Sequence, residues 1–204
     1  MARIIDKEEK RCDIARASID LFCEKGIQQT SIDEIAKSAG VAKGTVYLYF
    51  KNKEEIVFAI WDILAERHFE SLIQRIVPTM SAKEKILTYY DFSSCFEESE
   101  HQKMLDLLQH FTSTMLIDQS GLYTSYFESF FQRDYDFIFL CLEEGIQSEQ
   151  MQISDTHTFA NSIILVSKGL IMMAKAKNYD FTTTQTLLKE HISYLLDLHV
   201  RKEK

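Results

Sequence analysis

Chain breakers are scarce. The 204 residues hold one proline and six glycines, which excludes a turn-rich all-β architecture and points to long helices. The four cysteines (Cys12, Cys23, Cys95 and Cys141) are widely spaced and form no C-x-x-C pair, which excludes a disulfide framework or a thiolate zinc site. They are expected to be reduced and mostly buried thiols, a redox-sensing thiol being the alternative. The N-terminus, MARIIDKEEK, has no apolar core of the kind a signal peptide needs. The most apolar late stretch, FANSIILVSKGLIMMAKAK, is interrupted by Lys168 and reads as too short to span a membrane. A cytoplasmic protein with no membrane partner is the resulting expectation. No phosphate-binding loop and no nucleophile–base spacing is present. His68, His101, His110 and His157, with Glu97, Glu98 and Glu100, show no H-x-x-x-H spacing, so neither a metal nor a cofactor is expected and an enzyme is disfavoured. The run EESE reads as a solvated acidic loop.

What remains is ordinary globular material: 46% hydrophobic and 26% charged residues, in a chain long enough for one large or two small domains. Its charge is uneven. Residues 1–53 hold ten Lys/Arg and eight Asp/Glu, whereas residues 54–204 hold thirteen and twenty-three. The net charge of −8 therefore confines any nucleic-acid surface to the N-terminal quarter.

Helical periodicity and caps divide that quarter. Asp6 with Glu9 forms a capping-box pattern, Ile14, Ala15, Ala17, Leu21 and Phe22 make one apolar face, and Gly26 supplies a left-handed stop. Ser31 with Glu34 opens a second helix with Ile32, Ile35 and Ala36 turned inward, and Gly40 ends it. A short third helix runs from about Ala42 to Phe50. Asn52 with Glu55 then opens a fourth, ended by Pro78. Two short helices joined by a tight glycine-containing turn, with a supporting helix on each side, make a helix-turn-helix. Five further helices are expected at about 82–96, 101–115, 123–148, 156–177 and 184–201, with caps at Ser81–Glu84, Asp155 and Thr183.

In the third helix, Val46 and Phe50 lie four apart and can anchor it to a core. Lys43, Gly44, Thr45, Tyr47 and Tyr49 are left for the outer face or rim. A glycine here costs about 1 kcal/mol of helix propensity, and is useful where another backbone must come close. Lys43 can donate to a guanine edge or a phosphate, Thr45 can meet a thymine methyl, and the tyrosines can donate to phosphate oxygens. Lys53 and Ser31 sit at helix starts, where free N–H groups attract anions.

The stretch TSIDEIAKSAGVAKGTVYLYFKNKEEI resembles the signature of the TetR family of bacterial transcriptional regulators, over about residues 10–56. The resemblance implies an all-α fold of about nine helices. Residues 1–53 would form a DNA-binding helix-turn-helix domain, and residues 54–204 an effector-binding and dimerisation domain. It implies a homodimer on palindromic double-stranded operator DNA, usually a repressor, released by a small ligand. Carried across by position, it assigns base or groove contacts to Lys43, Gly44, Thr45 and Tyr47, and phosphate contacts to Ser31, Tyr49 and Lys53. One departure is Ala42, where many members carry a serine cap; its loss costs roughly 1 kcal/mol. A helical adaptor whose helix-turn-helix no longer binds DNA is the alternative, and an enzyme using Cys95, Cys141 or a histidine is a third.

Residues 81–140 hold thirteen of the chain's twenty-four aromatics, which can be core or can line a ligand cavity. The candidate lining is Trp61, Phe92, Phe96, Met104, Phe111, Met115, Tyr123, Tyr126, Phe127 and Phe130. Residues 81–150 contain only Lys83, Lys85, Lys103 and Arg133 as bases, which favours a neutral or cationic hydrophobic effector, or an acyl chain, over a strongly anionic one. Ile163, Val166, Leu170 and Met173 make one late stripe, and Leu187, Tyr194, Leu195 and Leu198 another. Either can be core; the resemblance favours a four-helix dimer interface, whose two-fold axis would set two recognition helices roughly 34–36 Å apart.

Overall fold

The computed structural model describes residues 7–201. Among the described residues the architecture is all-α, with no β-sheet. The helices are α1 (Lys7–Lys25), α2 (Ile32–Ser38), α3 (Lys43–Tyr49), α4 (Lys53–Arg75), α5 (Ala82–Tyr89), α6 (Glu98–Ile117), α7 (Leu122–Gln147), α8 (Thr156–Lys177) and α9 (Phe181–Asp197). Asp6, half of the expected first capping box, lies outside the described residues. By compactness the chain forms two units, one reaching to Phe69 and including Gln102–Asp118, the other formed by Glu70–His101 and the chain from Gln119 on.

In the first unit, α1, α2 and α3 pack around Ile14, Phe22, Ile35, Val46 and Phe50, each no more than 1% exposed. Burying each such side chain is worth about 1.5–3 kcal/mol, which offsets the poor intrinsic stability of two seven-residue helices. These buried positions were expected from their spacing, as was the left-handed Gly26.

In the second unit, α7 packs on α5 and α8, and α8 on α9. Ile86, Ile138, Leu142, Ile163, Ile164, Leu188, Ile192 and Leu196 fill the core. Gly145 permits the close approach of α7 to α5: a Cβ there would lie 2.7 Å from the Cβ of Ala82. The Ser81–Glu84 box and the Asp155 cap are present as expected. The cap of α9 is Asp180 rather than Thr183; its carboxylate accepts from the Thr183 N–H at 2.7 Å, so the helix starts earlier than periodicity suggested.

Two other boundaries move. The helix expected to run through Phe96 stops at Tyr89, followed by a single 3₁₀ turn at Phe92–Ser94. Gln185, buried on α9, causes this: its amide donates to Tyr90 O at 2.6 Å and its carbonyl accepts from Phe92 N at 3.2 Å, replacing helical partners. α9 stops at Asp197, because the chain beyond it leaves to pair with the segment after α7 (Gln152 N to His199 O, 2.8 Å; Arg201 N to Gln150 O, 3.0 Å). The stretch expected to be too short for a membrane also needs correction. Residues 156–174 form a continuous 19-residue helical segment of mean hydropathy 1.2, long and apolar enough to cross one by length and composition. Here Ala160, Ile163, Ile164, Ile171 and Ala174 bury one side of it.

All four cysteines are free; Cys95 and Cys141 are buried, Cys12 and Cys23 partly so. Burial, then Asp106 nearby, pushes the Cys23 thiol up to about 12. Burial does the same for Cys141, also to about 12. Neither is a thiolate at neutral pH, so neither has the nucleophilic form that redox sensing needs.

Candidate nucleic-acid interface

Local chemistry positions α2 and α3. The Ser31 hydroxyl accepts from Glu34 N while a Glu34 carboxylate oxygen accepts from Ser31 N at 2.9 Å and from the Ser31 hydroxyl at 2.8 Å. The other Glu34 oxygen accepts from Lys25 at 2.5 Å. These partners, the Lys25 hydrogen bond first, hold the Glu34 carboxyl at about 2. At the far end, Gly40 has φ +63°, Gly40 N donates to Lys37 O, and Val41 N donates to Ala36 O at 2.9 Å. This is a Schellman stop, which turns the chain sharply into α3.

Helix α3 has no side-chain cap, since Ala42 stands at its start. Val46 and Phe50 hold its inner face, at 0% and 1% exposure. Opposite them, Lys43 and Gly44 are exposed, Thr45 and Tyr49 half-buried, and Tyr47 is 51% exposed. A Cβ added at Gly44 would meet nothing within 4 Å. The protein itself therefore places no steric demand on this glycine, in the middle of a helix it weakens.

The cations differ in their freedom. Lys43 Nζ lies 2.7 Å from Asp33, a pair exposed on both sides. Lys53 donates to Gln28 O at 2.9 Å and Thr30 O at 3.0 Å, bracing the α1–α2 turn. The Ser31 hydroxyl is engaged in its capping box. Each of the seven residues assigned to DNA thus sits on or beside α2–α3, but Lys43, Lys53 and Ser31 already have internal partners. Two surface residues went unassigned from the sequence. Leu48 is 74% exposed on the Lys43–Gly44–Tyr47 side of α3, and its spacing four after Gly44 was the available signal. Lys51, in the connection to α4, is exposed, and Arg11 of α1 covers the Phe50 ring at 5.0 Å.

The candidate cavity residues are divided between the two units. In the first, Trp61 meets Phe111 edge-on at 5.3 Å, Phe111 is buried, and Met104 and Met115 are half-buried. In the second, Tyr123 is buried, Tyr126 touches Phe130 at 5.0 Å and Phe127 touches Phe131 at 5.1 Å. Phe96 lines a cleft of about 470 Å³ with His101, Phe181 and Gln185, a grouping not anticipated, and Phe92 lies half-buried nearby in the chain. A second groove of about 730 Å³ lies between α5 and α9 and includes Tyr194. Among the interface candidates, Met173, Tyr194 and Leu198 are exposed by half or more, and Val166, Leu170, Leu187 and Leu195 are half-buried. Ile163 is wholly buried within its own unit and has no surface to offer a partner. Leu165, missed in the sequence, is 63% exposed on α8. No group of three or more metal-ligating side chains gathers among the described residues.

Comparison with known proteins places this geometry. The family model described as "Bacterial regulatory proteins, tetR family" matches residues 14–60, the span from the middle of α1 into α4. A fatty acid metabolism regulator protein of Bacillus subtilis (strain 168) is 39% identical over 80 residues, which are 39% of this chain and 41% of that protein, so less than half of its length is matched. The HTH-type transcriptional regulator AcrR of Shigella flexneri is 25% identical across 96% of this chain and 91% of its own. The solved structure of a TetR transcription regulator from Haloarcula marismortui shares the fold, with a TM-score of 0.79 at 17% identity, over 95% of this chain and 100% of that one. The TetR-family signature thus falls on the helix-turn-helix that carries the uncapped, outward-facing third helix, and the fold that holds it is shared along nearly the whole chain with a regulator of that family.

Proposed function

We propose that the chain is a ligand-responsive, dimeric repressor that binds a palindromic operator and leaves it when a small hydrophobic effector binds. Residues 1–53 do the reading, and residues 54–204 do the sensing and pairing. Lys43, Gly44, Thr45 and Tyr47 face base edges or the groove; Ser31, Tyr49 and Lys53 face phosphates. The observation that carries this reading is Gly44, an exposed glycine in mid-helix with open space where its side chain would be. It makes sense where a foreign backbone approaches α3, flanked by a cation and a phenol suited to DNA. Lys43 reaches a guanine or phosphate by leaving Asp33, a low-cost exchange for an exposed pair. Of the ten candidate lining positions, the six in the second unit, Phe92, Phe96, Tyr123, Tyr126, Phe127 and Phe130, line the effector site. The exposed parts of α8 and α9, with Met173, Tyr194 and Leu198, meet their equivalents in a second copy. A cytoplasmic location follows from this role, and no enzymatic step is part of it.

The test is fluorescence anisotropy with DNA from upstream of the protein's own gene, over a salt series. The expected result is specific binding with a steep salt dependence, weakened at least about tenfold by Tyr47→Ala. Unchanged affinity in both Tyr47→Ala and Lys43→Ala would overturn the assignment of α3. The internal ties of Lys43 and Lys53 favour one other reading, an adaptor that does not bind DNA; it predicts no salt slope at all.

A further inference from the structure

The second unit contains a cation box. The Lys168 ammonium of α8 lies 2.7 Å from Asp134 Oδ2 of α7. It also sits 5.6 Å over the Phe127 ring and 5.8 Å over the Phe131 ring. The other oxygen of Asp134 accepts a hydrogen bond from the Tyr89 hydroxyl of α5. Burial, then the Asp134 charge, raises the Tyr89 phenol well above its usual range, so it stays neutral and donates.

The walls of this box are held by packing and its occupant is not. Phe127 rests edge-on against Phe131 at 5.1 Å, and Tyr89 stacks on Phe137 at 4.6 Å. The Asp134 side chain is 14% exposed, whereas that of Lys168 is 29% exposed and rides on a flexible four-carbon stem. If Lys168 swings outward, a largely buried carboxylate is left facing two aromatic rings. A carboxylate in that position requires a cation, and ring faces favour weakly hydrated, alkylated cations over small hydrated ones.

We propose that Asp134, Phe127 and Phe131, with Tyr89 behind the carboxylate, form a binding site for an organic monocation such as a quaternary ammonium, and that Lys168 is a built-in plug the ligand displaces. This names the chemical class of effector, and it rests on the function proposed above only for its consequence on DNA.

The experiment is isothermal titration of the full chain with choline and with benzyltrimethylammonium, using 3,3-dimethyl-1-butanol as an uncharged analogue of choline. Saturable binding of the cations but not of the alcohol is expected. Removing the plug in Lys168→Met should tighten cation binding about tenfold, and Asp134→Asn should abolish it. A salt bridge with a purely structural role predicts the opposite for Lys168→Met: lower stability and no binding. Lys168→Gln, which keeps stem length and polarity, serves if the methionine variant does not fold. Absence of saturable cation binding in wild type and in the folded Lys168 variant overturns the proposal, as does equal binding by Asp134→Asn. Adding the bound cation to a protein–DNA complex separates the two ideas: binding without DNA release leaves the site standing and removes its role as the effector site.

Discussion

Two lysine–aspartate pairs in this molecule have the same separation, 2.7 Å, and opposite surroundings. Lys43–Asp33 lies on the helix-turn-helix surface with side chains 51% and 68% exposed. Lys168–Asp134 lies among aromatic rings at 29% and 14%. Water screens the first pair, so breaking it is nearly free, and a lysine that must find DNA benefits from a partner it can abandon. In the second pair the carboxylate is committed: it also accepts from Tyr89, and whatever replaces Lys168 must carry positive charge. Distance alone does not distinguish a parked side chain from a structural or ligand-selecting one; exposure does.

The sharpest way to break the comparison is to remove each aspartate. Asp134→Ala leaves the Lys168 ammonium and the Tyr89 hydroxyl without their acceptor, and urea unfolding should show a loss of roughly 2 kcal/mol, the partial exposure of Lys168 keeping it below the cost of a fully buried pair. Asp33→Ala should leave the midpoint unchanged. A smaller effect sharpens the role of α3. Ala42→Ser restores a hydroxyl cap to its uncapped start, and should raise stability by about 0.5–1 kcal/mol in the same measurement.

Acid tests the capping box of α2. The Glu34 carboxyl is held at about 2 against an ordinary 4.5. A depressed carboxyl contributes stability above its ordinary value and loses it as pH falls through the folded one. Helicity followed by circular dichroism should therefore decline between about pH 4.5 and 2 with a component that Glu34→Gln lacks. Smallest of all, Asp33→Asn releases Lys43 and should tighten operator binding by about two- to threefold in low salt, fading as salt rises.

Much of the first unit was legible in the sequence because its determinants are local. The Ser31–Glu34 box spans three residues, the Gly40 stop needs only a left-handed backbone, and Val46 and Phe50 are one helical turn apart. The outward side of α3 followed from that anchoring, and only Leu48 was overlooked, as an apolar residue in a surface otherwise read for polar groups. The partners of Lys43 and Lys53 were not legible, because Asp33 and the Gln28 and Thr30 carbonyls reach them through the fold of the turn. In the second unit the aromatic enrichment was visible, but its distribution was not. Ile163 belonged to a plausible interface stripe and proved wholly buried, since periodicity marks an apolar face without saying what covers it.

By itself, the sequence determined the all-α class, the helix-turn-helix, most helix starts and the charge imbalance, all of which depend on contacts within a turn or two of chain and on composition. Tertiary structure alone decided where the helix after Ser81 breaks, through a Gln185 amide that reaches Tyr90 across 95 positions of sequence. It also brought Lys168, Asp134, Tyr89 and two phenylalanines into one box. Such groupings arise from the packing of helices far apart in the chain, where burial sets the strength of each charge and hydrogen bond, and no short-range pattern in the residues encodes that.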